Sequence, residues 1–176
     1  MPHKHAILLA LLASVLAGCP EPTTKPPAAT RLQAATQTPQ QLVGKVVGVH
    51  DGDTITVLVD RAEHKVRLHG IDCPELGQPF GRQAKQLTSR LARVEQVTVD
   101  VKDRDRYGRL VGVVTLPTGS SLNHALVEAG LAWWYQRYAF GDAKLEGLEE
   151  AARKAEIGLW SQPEPVPPWE WRRGGR

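Results

Sequence analysis

Cysteine is scarce in this 176-residue chain: Cys19 and Cys73 are the only two. That is too few for a disulfide framework, so the fold has to be held by its core. Long apolar runs are missing as well. The run at 6–17 has 12 uncharged residues, against the ~20 that a membrane-spanning helix needs. Bulk charge of one sign is absent from the middle of the chain. Between Gln40 and Ser161, sixteen Lys and Arg stand against sixteen Asp and Glu. The net charge of +3 comes from the two ends, including Arg172, Arg173 and Arg176. A nucleic-acid partner therefore has to be argued from placed residues and not from overall charge. The six histidines form no pair at metal-ligand spacing. His50, His64, His69 and His124 are expected in loops or on surfaces. No internal repeat is present.

Proline is nearly missing from the body and concentrated at the ends, which marks the boundaries. Residues 20–39 hold five prolines and 162–176 hold four, whereas only Pro74, Pro79 and Pro117 lie between. The apolar run behind Lys4 has the length and flanks of a secretory signal. It closes in Leu16-Ala17-Gly18-Cys19, which resembles the lipobox of bacterial lipoproteins, where the Cys becomes the lipidated first residue. The expected organisation is a lipoprotein signal peptide at 1–18 and a disordered tether at 19–40. A single domain follows at 41–161, then a Pro-, Trp- and Arg-rich tail at 162–176. Acyl chains on Cys19 contribute about 0.8 kcal/mol per buried CH₂, enough for stable anchoring with more than one chain. The chain is then a monomer held outside the cytoplasm on a bacterial membrane. The alternative is a secreted or periplasmic protein cut near Ala17, with Cys19 incidental. For the tail, docking on the body or on a phosphate backbone and simple disorder both stay open.

Within the body, strand patterning comes first. Val43–Val49 and Thr54–Val59 flank the turn signal Asp51-Gly52-Asp53, and Glu63–Leu68 follows a second turn at Asp60-Arg61-Ala62. Ala84, Leu87 and Leu91 recur at helical spacing and predict a helix near 79–93. Val97, Val99 and Val101 alternate, and Leu110–Leu116 is apolar. Ser121 and Asp142 are expected to cap two further helices, stopped by Gly130 and Gly158. Five short antiparallel strands with an interposed helix fit a small closed or partly open barrel of the OB type with three helices.

Three clusters carry possible chemistry. In His50-Asp51-Gly52-Asp53-Thr54, Asp53 stands where the next strand should begin its apolar face, a costly place for a carboxylate unless it meets a cation or donor. Arg67 lies between Val66 and Leu68 and points opposite to them, so it is expected to face solvent. Asp72 and Glu75 flank Pro74, which keeps the loop extended at Cys73. The third cluster, Asp103–Arg109, joins two strands and ends in Arg106-Tyr107-Gly108-Arg109. Each cluster alone suits a surface turn; their joint occurrence in this order is specific.

Together they resemble the signature segments of the staphylococcal nuclease family: Asp51-Gly52-Asp53-Thr54, Arg67 with Asp72-x-Pro74-Glu75, and Tyr107-Gly108-Arg109. Asn123-x-Ala125-Leu126-Val127-x-x-Gly130-Leu131-Ala132 and Gly158-Leu159-Trp160 are similar to that family too. The resemblance implies an OB barrel and calcium-dependent hydrolysis of DNA and RNA, with little sequence preference and 3′-phosphate ends. By the same resemblance, Asp53 and Asp72 would bind Ca²⁺ through carboxylates and Cys73 through its backbone carbonyl, with Asp51 acting through water. Glu75 would position or deprotonate the attacking water, and Arg67 and Arg109, also expected to face solvent, would grip the scissile phosphate. Tyr107 would lie near the terminal phosphate, and Tyr135 and Tyr138 would stack on bases. Cys73 departs from the Thr or Ala usual before the Pro, and Tyr135 sits one residue off the family's position. For Trp133 and Trp134 a packing role is expected of at least one.

Physical chemistry supports the allocation independently. A phosphodiester repels nucleophiles, so its site must neutralise developing negative charge. Hard oxygen ligands suit Ca²⁺, and guanidinium matches phosphate oxygens bidentately. The competing reading is a non-catalytic OB module binding single-stranded nucleic acid or an oligosaccharide. A binder gains nothing from the carboxylate of Glu75 beside a phosphate. A structural envelope lipoprotein leaves the whole constellation unexplained.

Overall fold

The computed structural model describes residues 41–93 and 96–174. The signal segment, Cys19 and the tether lie outside the described residues. Three strands come first, β1 (Gln41–Val49), β2 (Thr54–Val59) and β3 (Ala62–Leu68), then the two-residue β4 (Ile71–Asp72). Helix α1 (Gly81–Ala92) precedes β5 (Val97–Arg104) and β6 (Leu110–Thr115), and α2 (Leu122–Glu128), β7 (Trp133–Trp134) and α3 (Ala143–Lys154) follow. A 3-10 turn at Gly158–Ser161 leads to α4 (Pro168–Gly174).

The strands close into a five-stranded barrel in the order β1-β2-β3-β6-β5, the expected OB architecture. One pair departs from the antiparallel expectation: β3 and β6 run parallel, with Arg67 opposite Val111. An odd number of strands cannot alternate in direction all the way round a closed ring, so one seam must be parallel. The β2–β3 turn is a two-residue reversal, with Asp60 and Arg61 both at positive φ (46° and 71°). That backbone twist matches the twist of the flanking strands.

Alternation sorts the side chains. Val97 and Val99 on β5 and Leu110 and Val114 on β6 turn inward, meeting Ile55, Val57, Val66 and Leu68. Helix α2 covers this core with Leu122 and Leu126, both fully buried. Each such Val, Leu or Ile contributes about 1.5–3 kcal/mol by leaving water, which is how the fold stands with Cys73 unpaired and buried. The caps form as expected: the Ser121 hydroxyl accepts from the His124 N–H at 3.4 Å, and Asp142 Oδ1 accepts from Lys144 and Leu145 at 3.1 and 3.0 Å. Helix α3 stops earlier than Gly158, because Glu156 already takes the left-handed conformation (φ 51°).

A second apolar cluster of Trp133, Ala152, Leu159 and Trp160 lies beside the barrel, with Phe80 and Trp169 packed on it. Its presence explains the main difference from expectation. Among the described residues there are four helices, not three, and the fourth lies in the tail. Pro168, buried, stands at its first position, where proline's fixed φ suits a helix start, and Trp169 supplies the apolar anchor.

Candidate active site

The turn after β1 and the short β4 bring the first two acidic segments together. Antiparallel pairing of β2 with β3 sets Thr54 opposite Arg67, and the Leu68 N–H donates to the Asp53 carbonyl at 2.8 Å. Asp53 is thereby lodged at the strand end beside Arg67. Pairing of β4 with β7 sets Asp72 opposite Trp133. Both carboxylates are buried, at 1% and 0% exposure. Arg67 bridges them: one terminal nitrogen contacts Asp53 Oδ1 and the other donates to Asp72 Oδ1 at 2.5 Å. The second also reaches the Ile71 carbonyl at 3.4 Å. Arg67 is thus not the solvent-facing residue that alternation predicts; its side chain is only 19% exposed. Alternation places it on the outer face of the sheet, and β4 covers that face.

Cys73 sits inside this cluster. Its N–H donates to Asp53 Oδ2 at 2.6 Å. Burial, and then the Asp53 charge, push its thiol well above the ordinary range, so the sulfur stays protonated. Gly52 is required by the same close approach, since a Cβ there would lie 2.6 Å from the Cys73 Cβ and 2.8 Å from that of Ala84. The Thr88 hydroxyl on α1 holds the Gly52 carbonyl. Sequence patterning offers no signal for Thr88.

The electrostatics favour a cation. Burial pushes the Asp53 carboxyl up to about 7, against the pull of Arg67 and with the help of Asp51 and Asp72. Burial works against the charge of Arg67, yet Asp53 and Asp72 outweigh it and hold that guanidinium firmly protonated. Four carboxylates, Asp51, Asp53, Asp72 and Glu75, occupy this corner. The carboxylates of Asp53 and Asp72, with Asp51 and the half-exposed Glu75 near them, are hard oxygen donors of the kind that suits a divalent ion such as Ca²⁺. Among the described residues no three His, Cys, Asp or Glu side chains are gathered around one point; the acids are joined through arginine instead.

A second arginine joins the acids from the tail, whose docking the sequence leaves open. Arg172 of α4 donates from one terminal nitrogen to Asp72 Oδ2 at 2.7 Å. The other donates to Glu75 Oε1 at 2.7 Å and reaches Asp72 Oδ1 at 3.4 Å. Glu75 is half-exposed and held by Gln78, whose side-chain oxygen accepts the Glu75 N–H at 3.2 Å and whose own N–H donates to the Glu75 carbonyl at 2.8 Å.

Arg109 stands apart from the acidic pair. It precedes β6, two residues before Val111, the partner of Arg67. Its Nε donates to Asp105 Oδ2 at 2.6 Å and its N–H to Oδ1 at 3.0 Å. Slight burial opposes ionisation of Asp105, but these bonds outweigh it and keep the carboxyl below its ordinary value. At 28% side-chain exposure Arg109 meets solvent less freely than expected. Tyr107 is exposed, with the Arg106 and Arg109 guanidiniums 4.9 and 5.6 Å from its ring centre.

The other aromatics divide. Tyr138 is exposed and meets Tyr135 edge-on at 5.0 Å. Tyr135, whose N–H donates to the Gly70 carbonyl at 2.8 Å, lies flat against Trp169 at 4.8 Å and 7°. Trp133 packs edge-on with Trp160 at 4.4 Å, and the Trp134 ring N–H donates to the Ala139 carbonyl at 3.0 Å; both are buried.

Comparison with known proteins follows the same line. The family model described as staphylococcal nuclease homologue matches residues 65–162. An uncharacterized endonuclease of Escherichia coli O157:H7 is 45% identical over 129 residues, 73% of this chain and 84% of the relative. A micrococcal nuclease of Shigella flexneri is 42% identical over 142 residues, 76% of this chain and 82% of the relative. An uncharacterized endonuclease of Haemophilus influenzae is 38% identical over 130 residues, covering 73% and 72%.

Proposed function

Because this chain belongs to the staphylococcal nuclease homologue family, a hydrolase activity on nucleic acid is its premise, and we propose a calcium-dependent endonuclease. Its substrates are DNA and RNA, cut with little sequence preference to leave 3′-phosphate ends. The observation that carries the reading is the buried pair Asp53 and Asp72, cross-linked by Arg67 with Glu75 alongside.

In this proposal Asp53 and Asp72 hold Ca²⁺ through carboxylate oxygens, Cys73 through its carbonyl and Asp51 through water. A carbonyl suits Ca²⁺, which takes hard oxygen ligands, better than a sulfur would. When bound, the ion supplies positive charge that offsets the phosphate's own and polarises its oxygens. Arg67 uses three N–H donors on Asp53, Asp72 and Ile71, which leaves two of its five for a phosphate oxygen. Arg109, locked by Asp105 into one orientation, supplies a second guanidinium. A positioned arginine of this kind contributes about 10³ to 10⁵ in rate.

Glu75 accepts a proton from the attacking water as the water oxygen bonds to phosphorus. The bond from phosphorus to the 5′ oxygen breaks, that oxygen takes a proton from solvent water, the phosphate stays on the 3′ side, and Glu75 returns its proton to solvent. General-base help of this type is worth about 10² to 10⁴. Tyr107 lies beside the terminal phosphate, exposed Tyr138 offers a face to a base, and Tyr135 offers one once Trp169, stacked on it in this structure, moves away. Stacking there tolerates any sequence, which suits broad specificity. The proposal extends to a lipid anchor on Cys19 and a place outside the cytoplasm, facing foreign or released nucleic acid as a monomer.

Incubating the purified chain with plasmid and with RNA, with and without Ca²⁺, tests the reading. Cleavage of both only with Ca²⁺, and poorly with Mg²⁺ because that ion demands tighter octahedral geometry, is the expected result. Binding of nucleic acid without any cleavage would return the chain to the class of OB binding modules.

A further inference from the structure

Three separate contacts fasten the C-terminal segment across the site just described. Gln78, buried beside Glu75, donates its side-chain N–H to the Val166 carbonyl at 2.5 Å. Pro167 and Pro168 are buried, and Trp169 lies flat on Tyr135 and edge-on to Trp133 at 5.7 Å. One turn further along, Arg172 places a guanidinium on Asp72 and Glu75. A seven-residue helix thus presents an aromatic plane to Tyr135 and a positive charge to two acids. A base and a metal ion would bring the same two features.

We propose that residues 162–174 are a built-in, reversible competitor of the site. Docked, Arg172 takes the charge of Asp72 and Glu75, which leaves Glu75 engaged and one ligand occupied, while Trp169 covers Tyr135. Undocked, all three are released. The substrate half rests on the nuclease reading; the ion half rests on the carboxylates alone. Reversibility follows from exposure. Arg172 is 43% exposed and pairs with Glu75, 42% exposed, as well as with the buried Asp72. The pairing with Glu75 is of the exposed kind, weak enough to open thermally, and water reaches the guanidinium from the open side. A site closed for part of the time binds its ligand with an affinity reduced by the open fraction.

The test uses the purified full chain and two single variants, each checked by circular dichroism. Arg172→Gln removes the charge from an exposed position, and Trp169→Leu keeps apolar packing but removes the flat ring. Ca²⁺ binding is measured by calorimetry without nucleic acid, and binding of a phosphorothioate oligothymidylate by fluorescence anisotropy. Arg172→Gln is expected to bind Ca²⁺ roughly three- to tenfold more tightly, and Trp169→Leu to bind the oligonucleotide tighter by a similar factor. Unchanged or weaker Ca²⁺ binding by Arg172→Gln overturns the competitor and makes Arg172 a structural or phosphate-gripping residue. Weaker oligonucleotide binding by Trp169→Leu overturns it too, since Trp169 then helps the substrate. Tighter Ca²⁺ binding in a chain that never cleaves sinks the nuclease reading and leaves the ion half of the arm standing. Cleavage without any tightening does the reverse.

Discussion

Oδ2 of Asp53 accepts the backbone N–H of Cys73 at 2.6 Å, and this bond ties the turn after β1 to the loop after β4. Two segments twenty positions apart are held with the Gly52 backbone close against the Cys73 side chain. The proximity of the acids depends on it, and it has a direct consequence at Gly52.

Gly52→Ala adds a methyl 2.6 Å from the Cys73 Cβ and 2.8 Å from its sulfur. The loops must separate, so a loss of about 1–3 kcal/mol is expected in urea denaturation, with a fall in Ca²⁺ affinity. A variant as stable and as metal-competent as the parent would show that the contact does not hold the site.

Arg67→Ala removes the cation between two buried carboxylates. Breaking such a pair by deleting one partner costs about 3–5 kcal/mol, because charge is left buried and unpaired. Loss of cleavage in this variant therefore mixes two effects, and Arg67→Lys separates them. Lys keeps the charge and most of the stability, yet lacks the forked geometry for phosphate. Stability near the parent with activity reduced a hundredfold or more is the expected result for Lys.

Arg109→Ala behaves differently. Its pair with Asp105 is partly exposed and contributes under about 1 kcal/mol, so the thermal midpoint should barely move. Cleavage is expected to fall by about 10³ or more. If initial rates on plasmid stayed within tenfold of the parent, Arg109 would lose its place at the phosphate.

Acid stability reports on His69. Burial, reinforced by Lys102, holds its imidazole below the ordinary value, with Asp142 and Asp100 opposing. The unfolded chain, near 6.5, then takes up the proton more readily. The resulting contribution is fully present above about pH 6.5 and is lost as pH falls through the lower folded value. In His69→Gln the urea midpoint should drop less between pH 7 and pH 5 than in the parent. Equal slopes for the two proteins would dismiss His69 as a source of acid sensitivity.

Much of this was readable from the sequence because the signals are local. Val97, Val99 and Val101 sort inward by alternation alone, and Ser121 and Asp142 cap helices by reaching only two or three residues ahead. The convergence of Asp53 and Asp72 on Arg67 follows from one hairpin register and one stiff loop. The exposure of Arg67 did not follow. Alternation tells which face of a sheet a side chain takes but not what covers that face. The tail stayed open for a related reason. Its prolines suit a tether as well as they suit a docked arm, and only the surface offered by Tyr135 and Trp133 distinguishes the two.

By itself the sequence determined the barrel strands, the caps and the residue types at each turn, since these depend on neighbours within a few positions. The tertiary structure alone decided that a second cation meets Asp72 and Glu75. Arg172 reaches Asp72 from 100 positions away, and no periodicity spans such a separation. The contact exists because burying Trp169 on the tryptophan cluster carries Arg172 to the acids.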